Sequence, residues 1–139
     1  MTTVVLSDAS RVTAGILLLT IVTIEFGGWF LTRVVRGAVP MTDFQKNFAR
    51  AGHAHAGVLV TLGLVAQILA DAADLSGLAD AVARSGIPAA AILMSAGFFF
   101  SSMGRGEVVK PNKLIVLLWL GAVSLAAGAA TLGIGLLSA

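Results

Sequence analysis

The sequence predicts an all-α integral membrane protein, a four-helix bundle that forms a single domain over residues 1–139. Hydrophobic residues make up 58% of the chain, and the mean hydropathy is +0.97. Charged residues make up only 12%, whereas a soluble domain carries about 25%. In addition, four apolar runs approach the roughly 20 residues that a helix needs to cross the hydrocarbon core.

The predicted spans cover residues 12–31, 51–70, 87–103 and 114–137. A polar connector follows the first span, and a helix start is expected in it at Thr42 or Asp43. Residues 71–84 read as a short acidic connector with a small amphipathic piece, and residues 104–113 as a basic loop. The third span is short and contains Pro88, so it is the candidate for a re-entrant segment. The fourth is rich in Ala and Gly, which favours close helix packing in membranes.

Basic residues concentrate in and beside the two connectors that four spans place on one side. They are Arg33, Arg36, Lys46, Arg50, Arg105, Lys110 and Lys113. The other side has only Arg11 and Arg84, together with Asp8, Asp71, Asp74 and Asp80. The positive-inside rule therefore predicts cytoplasmic connectors 1–2 and 3–4 and external termini, in a membrane of the bacterial inner-membrane type.

The charge balance and the absence of cysteine exclude several function classes. The formal net charge is only +2, so the pI of about 9.7 reflects few charges and not a basic face for nucleic acid. The expected partners are the lipid bilayer and other copies of the chain. Without cysteine the protein has neither disulfides nor thiolate metal ligands.

Residues 47–71 contain both histidines of the chain, His53 and His55. Imidazole is costly to place in a bilayer and is the commonest metal ligand. On a helix the two rings are separated by about 200°, so they cannot bind one ion from the same face. His53 belongs to a polar stripe with Arg50, Gly57, Val60, Leu64, Gln67 and Asp71. His55 lies on an otherwise apolar face and needs a partner there, either another subunit or a cofactor.

Glu25 is the one acidic residue deep inside a predicted span. Such a carboxyl is either hydrogen-bonded to a neighbouring helix or functional. In the functional interpretation it pairs with Arg50 or His53, or it lines a polar cavity.

Several short motifs resemble styrene oxide isomerase and the related hydroxylaminobenzene mutases, which are small four-helix membrane proteins. The segment from Phe48 to Gly57 resembles their histidine-bearing second helix. Further similar motifs are Gly15-Ile16-Leu17, Phe26-Gly27 with Trp29, Gly97-Phe98-Phe99, Ser101-Ser102 and Pro111-Asn112.

The resemblance implies a homotrimer with a b-type haem at each subunit interface, held by a histidine of the second helix. Ferric iron would act as a Lewis acid in an intramolecular rearrangement of a small apolar substrate, such as the opening of an epoxide to an aldehyde. The family's His-x-Gly matches His55-Ala56-Gly57, so His55 is the candidate iron ligand and His53 the alternative. The family's asparagine and tyrosine correspond to Thr61 and Phe99, which with Glu25 form the candidate substrate pocket.

Three functional hypotheses follow. The first is a haem-dependent isomerase. The second is a haem-binding sensor, carrier or redox protein, in which Met94, Met103 or a residue of a partner chain is the second iron ligand. The third is a cofactor-free transporter or accessory subunit, in which Glu25, Arg50, His53 and Gln67 line a polar path.

Overall fold

The structure is a computed structural model that describes residues 5–104 and 106–139. Its helices are α1 (Asp8–Val35), α2 (Asp43–Ala72), α3 (Gly77–Ser101) and α4 (Val116–Ser138), and a 3-10 turn (Lys113–Ile115) leads into α4. All four helices are long and apolar enough to cross a membrane. The predicted all-α four-helix fold is therefore confirmed.

Side-chain caps fix where the first two helices begin. The Ser7 side chain accepts a hydrogen bond from the Ser10 amide at the start of α1. At the start of α2, the side chain of Thr42 caps the Gln45 amide, and the side chain of Gln45 caps the Thr42 amide. This reciprocal pair is a capping box, and it confirms the helix start predicted at Thr42.

The helices are longer than the predicted spans, and the second connector is much shorter. Helix α2 continues to Ala72, and α3 already begins at Gly77, so most of the predicted acidic connector is helical. Its charges are accommodated because Arg84 pairs with Asp71 and with Asp80, at 2.7 Å in each case. Helix α3 has 25 residues, so it does not form a short re-entrant segment, and it ends at Ser101.

Pro88 lies inside α3. Proline has no amide hydrogen to donate to the carbonyl four residues earlier, which here belongs to Arg84. Gln67 of α2 fills this position, because its Nε2 donates to the Arg84 carbonyl at 2.9 Å. The proline is thus tolerated in the middle of α3 through a hydrogen bond from the neighbouring helix.

Helix α3 lies between α2 and α4 and contacts both. Its contact with α4 is the closest in the bundle, since a Cβ atom built on Gly86 would lie 2.6 Å from the Gly128 Cα atom. The Ser124 hydroxyl of α4 also donates to the Gly86 carbonyl at 2.8 Å. Helix α1 packs mainly on α2 and leaves much of its apolar surface exposed.

Connectors 1–2 and 3–4 meet at the same end of the bundle. The Thr42 hydroxyl donates to the Val108 carbonyl at 2.6 Å, and Gln45 Nε2 donates to the Ser102 carbonyl at 3.1 Å. Of the basic residues predicted at this end, Arg105 lies outside the described residues. At the opposite end Arg84 and Ser7 both bind Asp71, which joins α3 and the start of α1 to α2.

Candidate functional site

Both histidines lie on one unbroken stretch of α2 but contact different neighbours. His53 faces α1, where its ring lies against Gly27 and Gly28. His55 faces α3, where its ring centroid lies 4.8 Å from that of Phe98. The structure thus agrees with the prediction that the two rings cannot bind one ion together.

The orientation of His55 is set by its own helix. Its Nδ1 atom lies 2.8 Å from the Ala51 carbonyl, one turn earlier. A carbonyl oxygen only accepts hydrogen bonds, so Nδ1 must carry the proton in this contact. In the neutral ring the lone pair is then on Nε2. Ligating histidines are commonly held in this way, with the other ring nitrogen donating to a carbonyl or carboxylate.

The surroundings of the His55 ring are apolar. Phe98 packs against the ring at an interplanar angle of 39°, and Phe48 packs against Phe98 at 5.5 Å between ring centroids. One turn further along α2, Val58 is 67% exposed. Within residues 5–104 and 106–139 no group bonds to Nε2, and the half-buried ring lies at the outer surface of the bundle. The described residues therefore offer one oriented imidazole on an apolar surface.

His53 has a more polar environment. It borders a crevice of about 400 Å³ at the connector end of the bundle, together with Arg36 and Arg50. The ring contacts the backbone of α1 because Gly27 and Gly28 have no side chains; a Cβ atom on Gly28 would lie 3.3 Å from the ring. No hydrogen bond in the described part of the chain sets the tautomer of His53.

The three residues predicted to form a substrate pocket do not come together within one chain. Glu25 lies on the exposed face of α1. Thr61 is exposed on α2, with its hydroxyl bonded to the Gly57 carbonyl at 2.9 Å. Phe99 is half-buried and borders a pocket with Phe30 on the α1 side of the bundle.

The polar stripe of α2 faces α1, but it does not form a continuous polar path. Between His53 and Gln67 it passes Val60, which is buried in an apolar cluster with Leu17 of α1. Gln67 itself is fully buried and binds the Arg84 carbonyl. Glu25 points away from this interface. In a single chain, the stripe therefore stabilises helix contacts.

The two methionines considered as second iron ligands lie away from His55. Met94 is buried at the contact with α4, where a Cβ atom on Gly121 would lie 2.5 Å from its Cγ atom. Met103 borders the pocket on the α1 side. Neither methionine faces His55 within one chain.

The described residues contain no cluster of three His, Cys, Asp or Glu side chains that could hold a metal ion. A single imidazole is nevertheless enough for iron in a macrocycle, because the macrocycle supplies the equatorial ligands. The oriented Nε2 of His55 and the apolar surface beside it fit such a group. A separate apolar groove of about 270 Å³ is lined by residues of α1, α2 and α3, among them Ile24, Val60 and Ile92, and lies on the α1 side.

The contact of Phe98 with His55 was not predicted, because within this aromatic run the sequence assigned a role only to Phe99, as part of the candidate substrate pocket. The relative register of α2 and α3 would have been needed to find it, and hydropathy does not contain that information.

The fold defines the class of protein as a bundle of four helices suited to a membrane. Comparison of the chain with known protein families, curated proteins and solved structures found no match.

Proposed function

We propose that this is a haem-binding integral membrane protein in which His55 is the iron ligand. The observation that supports this best is the hydrogen bond between Nδ1 of His55 and the Ala51 carbonyl. It orients the ring and leaves the Nε2 lone pair directed away from its own helix. A b-type haem needs this arrangement of its protein ligand, and the apolar surface at Phe98 and Val58 suits the macrocycle.

The proposed activity is an intramolecular rearrangement of a small apolar substrate, as in the epoxide isomerases that the sequence resembles. Bound ferric haem would supply a Lewis acid for the substrate oxygen. The protein itself would hold the iron through His55, and its apolar surface around Phe98 would exclude water. In this proposal the protein is a homotrimer, and connectors 1–2 and 3–4 face the cytoplasm of a bacterial-type cell.

The test is an absorption spectrum of the detergent-purified protein, expressed with added haem. Wild type is expected to show a Soret band, His55→Ala to lose it, and the matched variant His53→Ala to retain it. Loss only in His53→Ala would move the ligand to the crevice beside Arg36 and Arg50. A wild type without a Soret band would reject haem binding and favour the cofactor-free transporter or accessory subunit.

A haem-binding sensor, carrier or redox protein is the second candidate. It is favoured by the side chains at the two positions where the isomerases carry asparagine and tyrosine. The Thr61 hydroxyl is bonded to its own helix, and Phe99 has no polar group to orient a substrate. Conversion of styrene oxide to the aldehyde by the haem-loaded protein, followed by NMR, separates the two candidates. Turnover that is lost in His55→Ala supports the isomerase, whereas no turnover with a low-spin spectrum supports the second candidate.

A further inference from the structure

Glu25 lies on an apolar surface with no partner in its own chain. Its neighbours on the exposed face of α1 include Val22, Phe26 and Trp29, which are 65%, 68% and 52% exposed. Among the described residues no hydrogen bond or ion pair reaches the Glu25 carboxyl. A carboxyl on such a surface is costly in a bilayer unless a polar group of another molecule meets it.

The depth of Glu25 follows from the length of α1. The helix has 28 residues, so it is about 42 Å long at 1.5 Å per residue. Glu25 lies about 15 Å from the end of the helix at Val35 and about 26 Å from the end at Asp8. Wherever a hydrocarbon core of about 30 Å is placed along this helix, Glu25 falls inside it.

Glu25 and His55 lie at the same depth. Helices α1 and α2 are antiparallel: Gly27 and Gly28 lie against His53, and Leu17 lies against Gly63. Numbers therefore fall along α1 as they rise along α2. Gly27 contacts His53. Glu25 comes two residues before Gly27 on α1, and His55 comes two residues after His53 on α2, so Glu25 and His55 lie at the same level.

Within one chain these two residues cannot meet. His55 faces α3 and the outer surface beside Val58, whereas Glu25 is on an outer face of α1. A ring of copies around an axis normal to the membrane brings different surfaces of adjacent copies together. It also keeps every residue at its own depth. A contact between the outer faces of α1 and α2 would thus bring Glu25 of one copy level with His55 of the next.

We propose that the site is shared between copies, with Glu25 of one copy facing the Nε2 side of His55 of the neighbouring copy. The carboxyl then meets the only imidazole that lies at its own depth on an outer apolar surface of the described chain. This inference rests on the proposed function, since the carboxyl would face the ligand that His55 holds. The Glu25 carboxyl would supply a hydrogen bond or a proton to that ligand, on the side that faces away from His55.

Cross-linking of introduced cysteines tests this contact, because the chain has no native cysteine. Val22 lies one turn from Glu25 and Val58 one turn from His55, and they are 65% and 67% exposed. In membranes that contain Val22→Cys and Val58→Cys on separately tagged chains, a bis-maleimide long enough to reach across the bound group is expected to link the two chains. The matched control replaces Val58→Cys with Leu69→Cys, which is about 16 Å away in depth along α2 and is expected not to link. Equal linking in both pairs, or in neither, overturns the shared site.

A spectroscopic readout separates this inference from the haem proposal. In the haem-loaded protein, Glu25→Gln is expected to shift the absorption maximum or its pH dependence, whereas Glu25→Asp is expected to restore it in part. A wild-type Soret band that depends on His55 but not on Glu25, without cross-linking, rejects the shared site and leaves the haem proposal intact. Depth-specific cross-linking without a Soret band supports the contact between copies and rejects haem.

Discussion

At the scale of single residues, the side chain of Gln67 compensates for a proline on another helix. Its Nε2 donates to the Arg84 carbonyl, which cannot receive a helix hydrogen bond because Pro88 has no amide hydrogen. Neither residue indicated this role in the sequence, where Gln67 belonged to a polar stripe and Pro88 to a short span. The pairing depends on the register between α2 and α3, which periodicity within one helix does not determine.

We expect Gln67→Leu to lower the free energy of unfolding by about 1–3 kcal/mol, because the partly buried Arg84 carbonyl would lose its donor. In a Pro88→Ala background the loss should be clearly smaller, since the introduced alanine would supply the missing amide hydrogen. Both values are measured by unfolding the purified protein in SDS. Equal losses in the two backgrounds would show that Gln67 and Pro88 are not coupled.

Arg84 also connects the helices at the end opposite to the connectors 1–2 and 3–4. It binds Asp71 at 2.7 Å, and the two side chains are 17% and 12% exposed. Arg84→Ala should destabilise the protein by about 2 kcal/mol, because Asp71 would keep a largely buried charge without its cation. Arg11→Ala is the control, since the pair of Arg11 and Asp8 is 69% and 88% exposed and should contribute less than about 0.5 kcal/mol. Similar melting temperatures for the two variants would contradict this difference.

At the scale of helices, the contact between α3 and α4 depends on glycines. A Cβ atom on Gly86 would lie 2.6 Å from Gly128 Cα and 2.9 Å from the Ser124 carbonyl oxygen, and neither atom can move without the helix. We expect Gly86→Ala to destabilise the bundle by about 1–3 kcal/mol through overpacking. Gly15→Ala is the matched control, because nothing lies within 4 Å of its Cβ position. It should be neutral or stabilise by up to about 1 kcal/mol, since alanine is the better helix former. SDS unfolding of both variants would decide, and a stabilising Gly86→Ala would contradict the close approach.

The sequence was sufficient for the number of helices but not for their lengths. Hydropathy marks the part of a helix that lies in hydrocarbon, and α2 and α3 continue beyond it. The acidic segment from Asp71 to Arg84 was predicted to separate two spans, yet most of it is helical, and Arg84 pairs with both Asp71 and Asp80. The start at Thr42 was predictable because capping is a local interaction. In the candidate site, the separation of the histidine rings was predictable from helix geometry, whereas the contact of Phe98 with His55 depends on how two helices pack.

At the scale of the whole molecule, the two ends of the bundle differ in charge. The end with connectors 1–2 and 3–4 carries the cationic residues Arg36, Lys46, Arg50, Lys110 and Lys113. At the other end, Arg84 and Arg11 are each paired with aspartate. Lysine and arginine beside spans are retained in the cytoplasm, and this asymmetry is the basis of the proposed external termini. The same orientation would put the crevice beside His53 at the cytoplasmic surface.

Thiol labelling of intact cells can measure this orientation, again because the chain has no cysteine of its own. A membrane-impermeant maleimide should label Ser138→Cys at the end of α4 in intact cells. It should label Lys110→Cys, in connector 3–4, only after the membrane is permeabilised. Both positions are exposed, so a difference in labelling would report the side of the membrane and not burial. The reverse pattern would show that the clustered cations lie outside, and that a ligand reaching the crevice beside His53 would come from outside the cell.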